Sequence, residues 1–258
     1  MINKIFNESC LNTLARMSDN SVDLVITSPP YNMNFRIRNG QYCSRQITKE
    51  FSTKYEGFSD NLPIAEYYEF HASVLRELLR VSPMVFYNVQ IVTGSKRAIF
   101  KLLGDFNEYV KEIIVWDKVN AQPAMGEGVL NRQSELIIVF DKNDAISRKF
   151  SYCNFARGTL NDVWQIKRGK KVVGSHGATF PEELVEKILT NFSREGDVVY
   201  DPFMGTGTTA VVCKRMGRRY IGSELLPHYA EIANERVRCV WSNLCYSELP
   251  LQMKQSLF

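Results

Sequence analysis

The apolar residues of the chain fall into short unbroken runs and longer periodic stretches, and the two kinds alternate. Val22 to Ser28, VDLVITS, is nearly continuous, β-branched and stopped by two prolines, which predicts a strand buried on both faces. Ile64 to Leu79, IAEYYEFHASVLRELL, repeats its apolar positions at helical spacing, and PMVFYNVQIV from Pro83 to Val92 predicts another strand. A helix near Ser95 to Leu103, a strand EIIVWDK at Glu112 to Lys118 and a strand ELIIVFDK at Glu135 to Lys142 follow, with residues 119 to 133 predicted as loop. Order returns with PEELVEKILTNF, where Pro181 opens a helix and acids fill its first turn. Asp197 to Leu225 then reads as strand, glycine turn, helix, Gly217 as helix stop, and strand. Such alternation predicts an α/β fold: a Rossmann-like, doubly wound, mostly parallel sheet with helices on both faces.

Two segments resist this pattern. Asn32 to Asp60 has no clear periodicity and intersperses Arg36, Arg38, Arg45, Lys49 and Lys54 with Tyr42, Phe51, Tyr55 and Phe58. Asn143 to Gly177 is irregular and concentrates positive charge, including Arg148, Lys149, Arg157, Lys167, Arg168, Lys170 and Lys171. Long irregular segments in a compact domain are usually functional or disordered. The whole chain is expected to form one domain, 1–258, with a basic loop at 32–60 and a small region for reading a target at about 143–177.

Composition narrows the class. The 258 residues, 45% hydrophobic, suit a globular domain with one large core, and 32 basic against 28 acidic residues give a net charge of +4 that permits a polyanionic partner. Six scattered cysteines without a CxxC pair, and only three histidines, assemble no metal site, so none is expected. Without a signal-like N-terminus or an apolar run of spanning length, a cytoplasmic protein with reduced thiols and no membrane association is expected.

The glycine turn carries the first chemical signal. Gly205, Gly207 and Ala210 fit G-x-G-x-x-G/A between a strand and a helix, and Glu224 ends the next strand 19 residues after Gly205. Glycines let a ligand approach the backbone, and a carboxylate accepts two ribose hydroxyls, so a nucleoside is the expected guest. Asp201, just before the glycines, would repel a pyrophosphate but complements the ammonium of a methionine moiety. A nicotinamide-dependent oxidoreductase is the alternative this turn leaves open.

At the other strand end, Ser28, Pro29, Pro30 and Tyr31 would lie on the same edge of the sheet. The prolines hold a hydroxyl, a backbone carbonyl and an aromatic face rigidly, a set suited to a planar base with an exocyclic amine. That amine is a poor nucleophile because its lone pair is delocalised into the ring. Accepting its two protons at Ser28 and the Pro29 carbonyl would localise the pair, while Tyr31 stacks on the base and a sulfonium supplies a methyl group.

TSPPYN, Thr27 to Asn32, resembles motif IV of the DNA amino-methyltransferases, and DPFMGTGTT, Asp201 to Thr209, resembles their motif I. The order of the two is similar to that of the β group, and HGATFPEELVEKIL, His176 to Leu189, resembles the segment preceding motif I. The resemblance implies a Rossmann-like methyltransferase fold with Ser28, Pro29, Pro30 and Tyr31 catalytic. It implies S-adenosylmethionine as cofactor, held by Asp201, Phe203, Gly205, Gly207, Thr208, Glu224 and Phe180. Ser9, beside Glu8, stands where the family often has an acid that contacts the cofactor's adenine, and it is counted with the cofactor-binding residues. Double-stranded DNA is the implied substrate, its target base flipped out, with Arg36, Arg38, Arg45, Lys49, Arg157, Lys167 and Arg168 as backbone contacts. A homodimer is expected, and a cognate restriction endonuclease is a companion the sequence leaves undecided. Relatives with serine at the first motif IV position are mostly cytosine-N4 enzymes, so cytosine N4 is expected and adenine N6 is the alternative. Cytosine-C5 chemistry requires a Pro-Cys nucleophile, and no cysteine here follows a proline.

Overall fold

In the computed structural model the described residues are 1–32, 62–122, 127–169 and 180–241, together with the backbone of 36–38 and 41–43. Arg45, Lys49, Lys54, Lys170, Lys171 and His176 lie outside them, as do the side chains of Arg36 and Arg38.

The elements in chain order are β1 (Lys4–Phe6), α1 (Cys10–Ala15), β2 (Leu24–Thr27), β3 (Arg36–Arg38), β4 (Gln41–Cys43), α2 (Ile64–Val81), β5 (Met84–Val89), α3 (Lys96–Asp105), β6 (Val110–Gln122), β7 (Arg132–Asp141), β8 (Val163–Gln165), α4 (Glu182–Phe192), β9 (Val198–Asp201), α5 (Thr208–Arg215), β10 (Arg219–Ser223) and α6 (Pro227–Arg238). Eight strands form one sheet in the order β1-β10-β9-β2-β5-β7-β6-β8, and β3 and β4 pair as a separate antiparallel ribbon. Neighbours from β1 to β5 run parallel, whereas β7 is antiparallel to both β5 and β6.

The unbroken apolar runs are explained by burial on both faces. In β5, Met84 and Phe86 enter the core beneath α4 and α5, while Val85, Tyr87 and Val89 enter the core beneath α2 and α3. β7 splits likewise, Ile137 and Val139 to one face and Ile138 and Phe140 to the other. Each side chain in such a strand leaves water, which is why no polar alternation is visible.

The expected loop at 119–133 is shorter than predicted. β6 runs on to Gln122, which pairs with Arg132 across a register shift that follows Asp117. Val119 sits there at φ +66°, and Asp117 Oδ1 accepts from the Val119 backbone N–H at 2.8 Å and from Gln133 Nε2 at 2.8 Å. This is a bulge stabilised by polar groups, and so it carries no apolar signal in sequence.

Strand direction defines two edges. The C-terminal ends of β1, β10, β9, β2, β5, β6 and β8 and the N-terminal end of β7 share one edge. From adjacent β2 and β9 the crossovers diverge, β2 through α2 to β5 and β9 through α5 to β10, which opens a crevice between them. In open α/β sheets ligands bind at such a switch point. The segment after β7 belongs to the opposite edge: Ser151 Oγ donates to Asp141 Oδ2 at 2.7 Å and Asn154 N to Asn191 O at 2.8 Å. Phe150 and Phe155 pack on Phe192 at ring separations of 5.0 and 5.5 Å. Residues 150–155, within the segment expected to read a target, therefore form a strap over the core, held by aromatic residues.

Candidate active site

A cleft at the switch point is walled on one side by Ser28, Pro29, Pro30 and Tyr31 and on the other by Asp201, Phe203, Gly205, Thr208 and Glu224. Ser9 and Phe180 line it too, so the two motifs separated by some 170 residues of sequence meet in one cavity.

The proline tip is held from behind. Tyr67 Oη donates to the Pro30 carbonyl at 2.8 Å. His71 lies under Tyr67, their rings 4.1 Å apart, and burial pushes it down to about 3, so it is a neutral packing residue. Asn32 closes the motif at φ +52°, a left-handed conformation asparagine tolerates. Its side chain donates to Leu62 O and Gly94 O at 3.0 and 3.1 Å and accepts from Leu62 N at 2.8 Å.

Tyr31 is buried, and its hydroxyl does not face solvent. It donates to Glu135 Oε2 at 2.8 Å and lies 2.8 Å from Ser28 Oγ, while Asn88 Nδ2 donates to it at 2.6 Å. Asn88, Glu135 and its partner Lys118 were not singled out in the sequence. Asn88 sits inside an apolar strand and Glu135 begins one, and only their edge position reveals them.

On the cofactor-like side, Asp201 Oδ1 accepts from Phe203 N at 3.0 Å and Oδ2 from Thr209 Oγ1 at 2.6 Å. Burial raises this carboxyl to about 6, against the lowering effect of those two donors. Glu224 Oε2 accepts from Gly205 N at 2.8 Å and Oε1 from Leu226 N at 2.9 Å, and burial raises its pKa as well. Each carboxylate thus braces the turn while keeping lone pairs for a ligand, which fits ribose hydroxyls and an ammonium.

Several expected residues are placed differently. Gly207, at φ +87°, does not line the cleft. A Cβ there would lie 2.8 Å from Ala233 Cα, so its glycine is required by the approach of α6. Arg157 is exposed but follows the strap at the opposite edge, whereas exposed Lys167 and Arg168 leave β8 at the cleft edge. Arg132 donates to the Ile91 carbonyl. Trp116 and Trp164 are core residues, with indole N–H groups on Ile166 O and Asn161 O at 2.7 Å each. Cys10 is on the cleft wall, but burial pushes its thiol up to about 12, so it is no thiolate nucleophile. Among the described residues no group of His, Cys, Asp or Glu is arranged to hold a metal, and no described helix is long and apolar enough to cross a membrane.

The fold defined by this sheet is the Rossmann-like methyltransferase fold. It superposes on PvuII DNA methyltransferase (cytosine-N4-specific) with a TM-score of 0.71 at 16% identity, covering 99% of this chain and 91% of that one. The M1.HpyAVI–SAM complex matches with a TM-score of 0.60 at 22% identity over 93% of this chain and 99% of that one. The sequence is 31% identical to the type II methyltransferase M2.DpnII of Streptococcus pneumoniae, over 87% of this chain and 85% of that protein. The DNA methylase family model for N6 and N4 methyltransferases matches residues 22–235, and the chain belongs to that family.

Proposed function

We propose that this DNA methylase transfers a methyl group from S-adenosylmethionine to the N4 amine of a cytosine flipped out of double-stranded DNA. The observation that carries the reading is Ser28 Oγ on the cleft wall, held beside rigid backbone and facing the carboxylate-lined turn. The cytosine-N4-specific description of the PvuII relative supports the choice of base, as does serine at the first position of the motif.

In this reading Glu224 takes the ribose hydroxyls and Asp201 the ammonium, while Phe180 and Phe203 supply apolar wall. The bound cofactor supplies an electrophilic methyl group on a sulfonium. Ser28 Oγ and the Pro29 carbonyl accept the two amine protons, which localises the nitrogen lone pair toward the methyl group. Tyr31 serves as the stacking surface for the base. The carbon–nitrogen bond forms as the carbon–sulfur bond breaks, and the methylated nitrogen then loses its extra proton to water, because a serine hydroxyl and a peptide carbonyl orient the N–H bonds without taking the proton. Extrusion of the base costs a few kcal/mol, which phosphate contacts offset.

Transfer of a labelled methyl group to DNA tests the reading. Wild-type protein is expected to label duplex DNA, and Ser28→Ala to lower kcat roughly 100-fold with cofactor affinity unchanged. Labelling at the wild-type rate by Ser28→Ala would remove Ser28 from the chemistry.

A further inference from the structure

Behind the cleft wall, Asn88 on β5, Lys118 on β6 and Glu135 on β7 converge on the Tyr31 hydroxyl. Lys118 Nζ and Glu135 Oε1 form an ion pair at 2.9 Å with side chains only 3% and 11% exposed. Burying such a pair costs desolvation that attraction alone rarely repays, so it is weak evidence for stability and calls for another reason. Its position supplies one. Glu135 Oε2 accepts from Tyr31 Oη at 2.8 Å and from Asn88 Nδ2 at 2.7 Å, and Tyr31 Oη is 2.8 Å from Ser28 Oγ.

The direction of this chain follows from counting protons. A carboxylate can only accept, so the single Tyr31 hydroxyl proton goes to Glu135. Between Tyr31 and Ser28 the donor is then Ser28. Asn88 Nδ2 reinforces the polarity by giving one of its two protons to Glu135 Oε2 at 2.7 Å and the other to Tyr31 Oη at 2.6 Å, with Ser28 Oγ 3.3 Å from the same nitrogen. The only Ser28 proton therefore points away from the cleft, and Oγ offers a lone pair to whatever enters. An unconstrained serine hydroxyl would rotate and could equally donate to a ring nitrogen or carbonyl of the base.

We infer that Glu135, paired with Lys118 and steered by Asn88, is a positioning residue that makes Ser28 an obligate acceptor for the target amine. The inference rests on the role given to Ser28 above. It adds to that role the buried charge that orders the hydroxyl dipoles before substrate arrives, so that no reorientation is needed during transfer.

Glu135→Gln tests it. The amide oxygen is drawn to the Lys118 ammonium, its NH2 faces Tyr31, and the chain reverses so that Ser28 donates into the cleft. The expected result is a kcat about tenfold lower or more, with S-adenosylmethionine affinity by calorimetry within about twofold of wild type. Because Glu135 acts through the Tyr31 hydroxyl, adding Glu135→Gln to Tyr31→Phe is expected to slow the enzyme no further than Tyr31→Phe alone. Wild-type kcat in Glu135→Gln, or an undiminished loss in the Tyr31→Phe background, overturns the inference. Tyr31→Phe keeps the ion pair in place and is expected to lower kcat by itself, so wild-type kcat there overturns it even if Glu135→Gln fails to fold. Wild-type protein that labels no DNA would instead overturn the functional reading.

Discussion

Asp201 shows how one residue's environment would tune the proposed cofactor contact. Burial raises its carboxyl to about 6, and an ammonium alongside favours the ionised form. If Asp201 holds the ammonium as proposed, binding is expected to expel a proton near that pH, and affinity to fall as pH drops through about 6, where the neutral acid dominates. Calorimetric titration with S-adenosylmethionine in buffers of different ionisation enthalpy should record proton release near pH 6 and none near pH 8. Affinity independent of pH between about 5 and 8 would separate Asp201 from the ammonium. The same residue illustrates what a sequence can convey. Its place before a glycine turn announced a ligand, but its bonds to Phe203 and Thr209, which make it a strut of the turn as well, needed coordinates.

At the scale of elements, the strand tips and the glycine turn were legible because each has a local signature: prolines ending an apolar run, or glycines between strand and helix. Gly207 was legible as an obligatory glycine, yet its reason is long range. At φ +87° it lets α6 pack on α5, with Ala233 against it. Gly207→Ala is expected to cost more stability than Gly196→Ala, which at φ +85° meets nothing within 4 Å and carries only a backbone cost of about 1–2 kcal/mol. Urea denaturation of the two variants checks this, and equal losses would mean that the helix contact contributes little. The hairpin of β6 and β7 was legible only as two runs. Its antiparallel pairing brings Lys118 and Glu135 together, and a charged residue inside or beside an apolar strand gives no hint of which partner lies across the ladder.

Over the whole molecule, the edge on which each basic residue sits decides what it can do. Positive charge in the irregular segment looked uniform along the sequence, because composition carries no direction. The fold divides it: Arg157 lies with the strap at the edge opposite the cleft, while Lys167 and Arg168 emerge at the cleft edge after β8. Replacing Lys167 and Arg168 with alanine is expected to weaken DNA binding and to lower the slope of log affinity against log salt by about one for each phosphate no longer neutralised, whereas Arg157→Ala leaves both unchanged. Fluorescence anisotropy across a salt series measures the difference, and an equal effect of Arg157→Ala would place DNA across both edges. The pairing of a serine-proline tip with a carboxylate-lined turn implies a product that is a defined chemical species. Digesting DNA methylated by the pure protein and identifying the modified nucleoside by mass spectrometry should yield N4-methylcytosine; N6-methyladenine, or no modified base, would contradict transfer to cytosine N4.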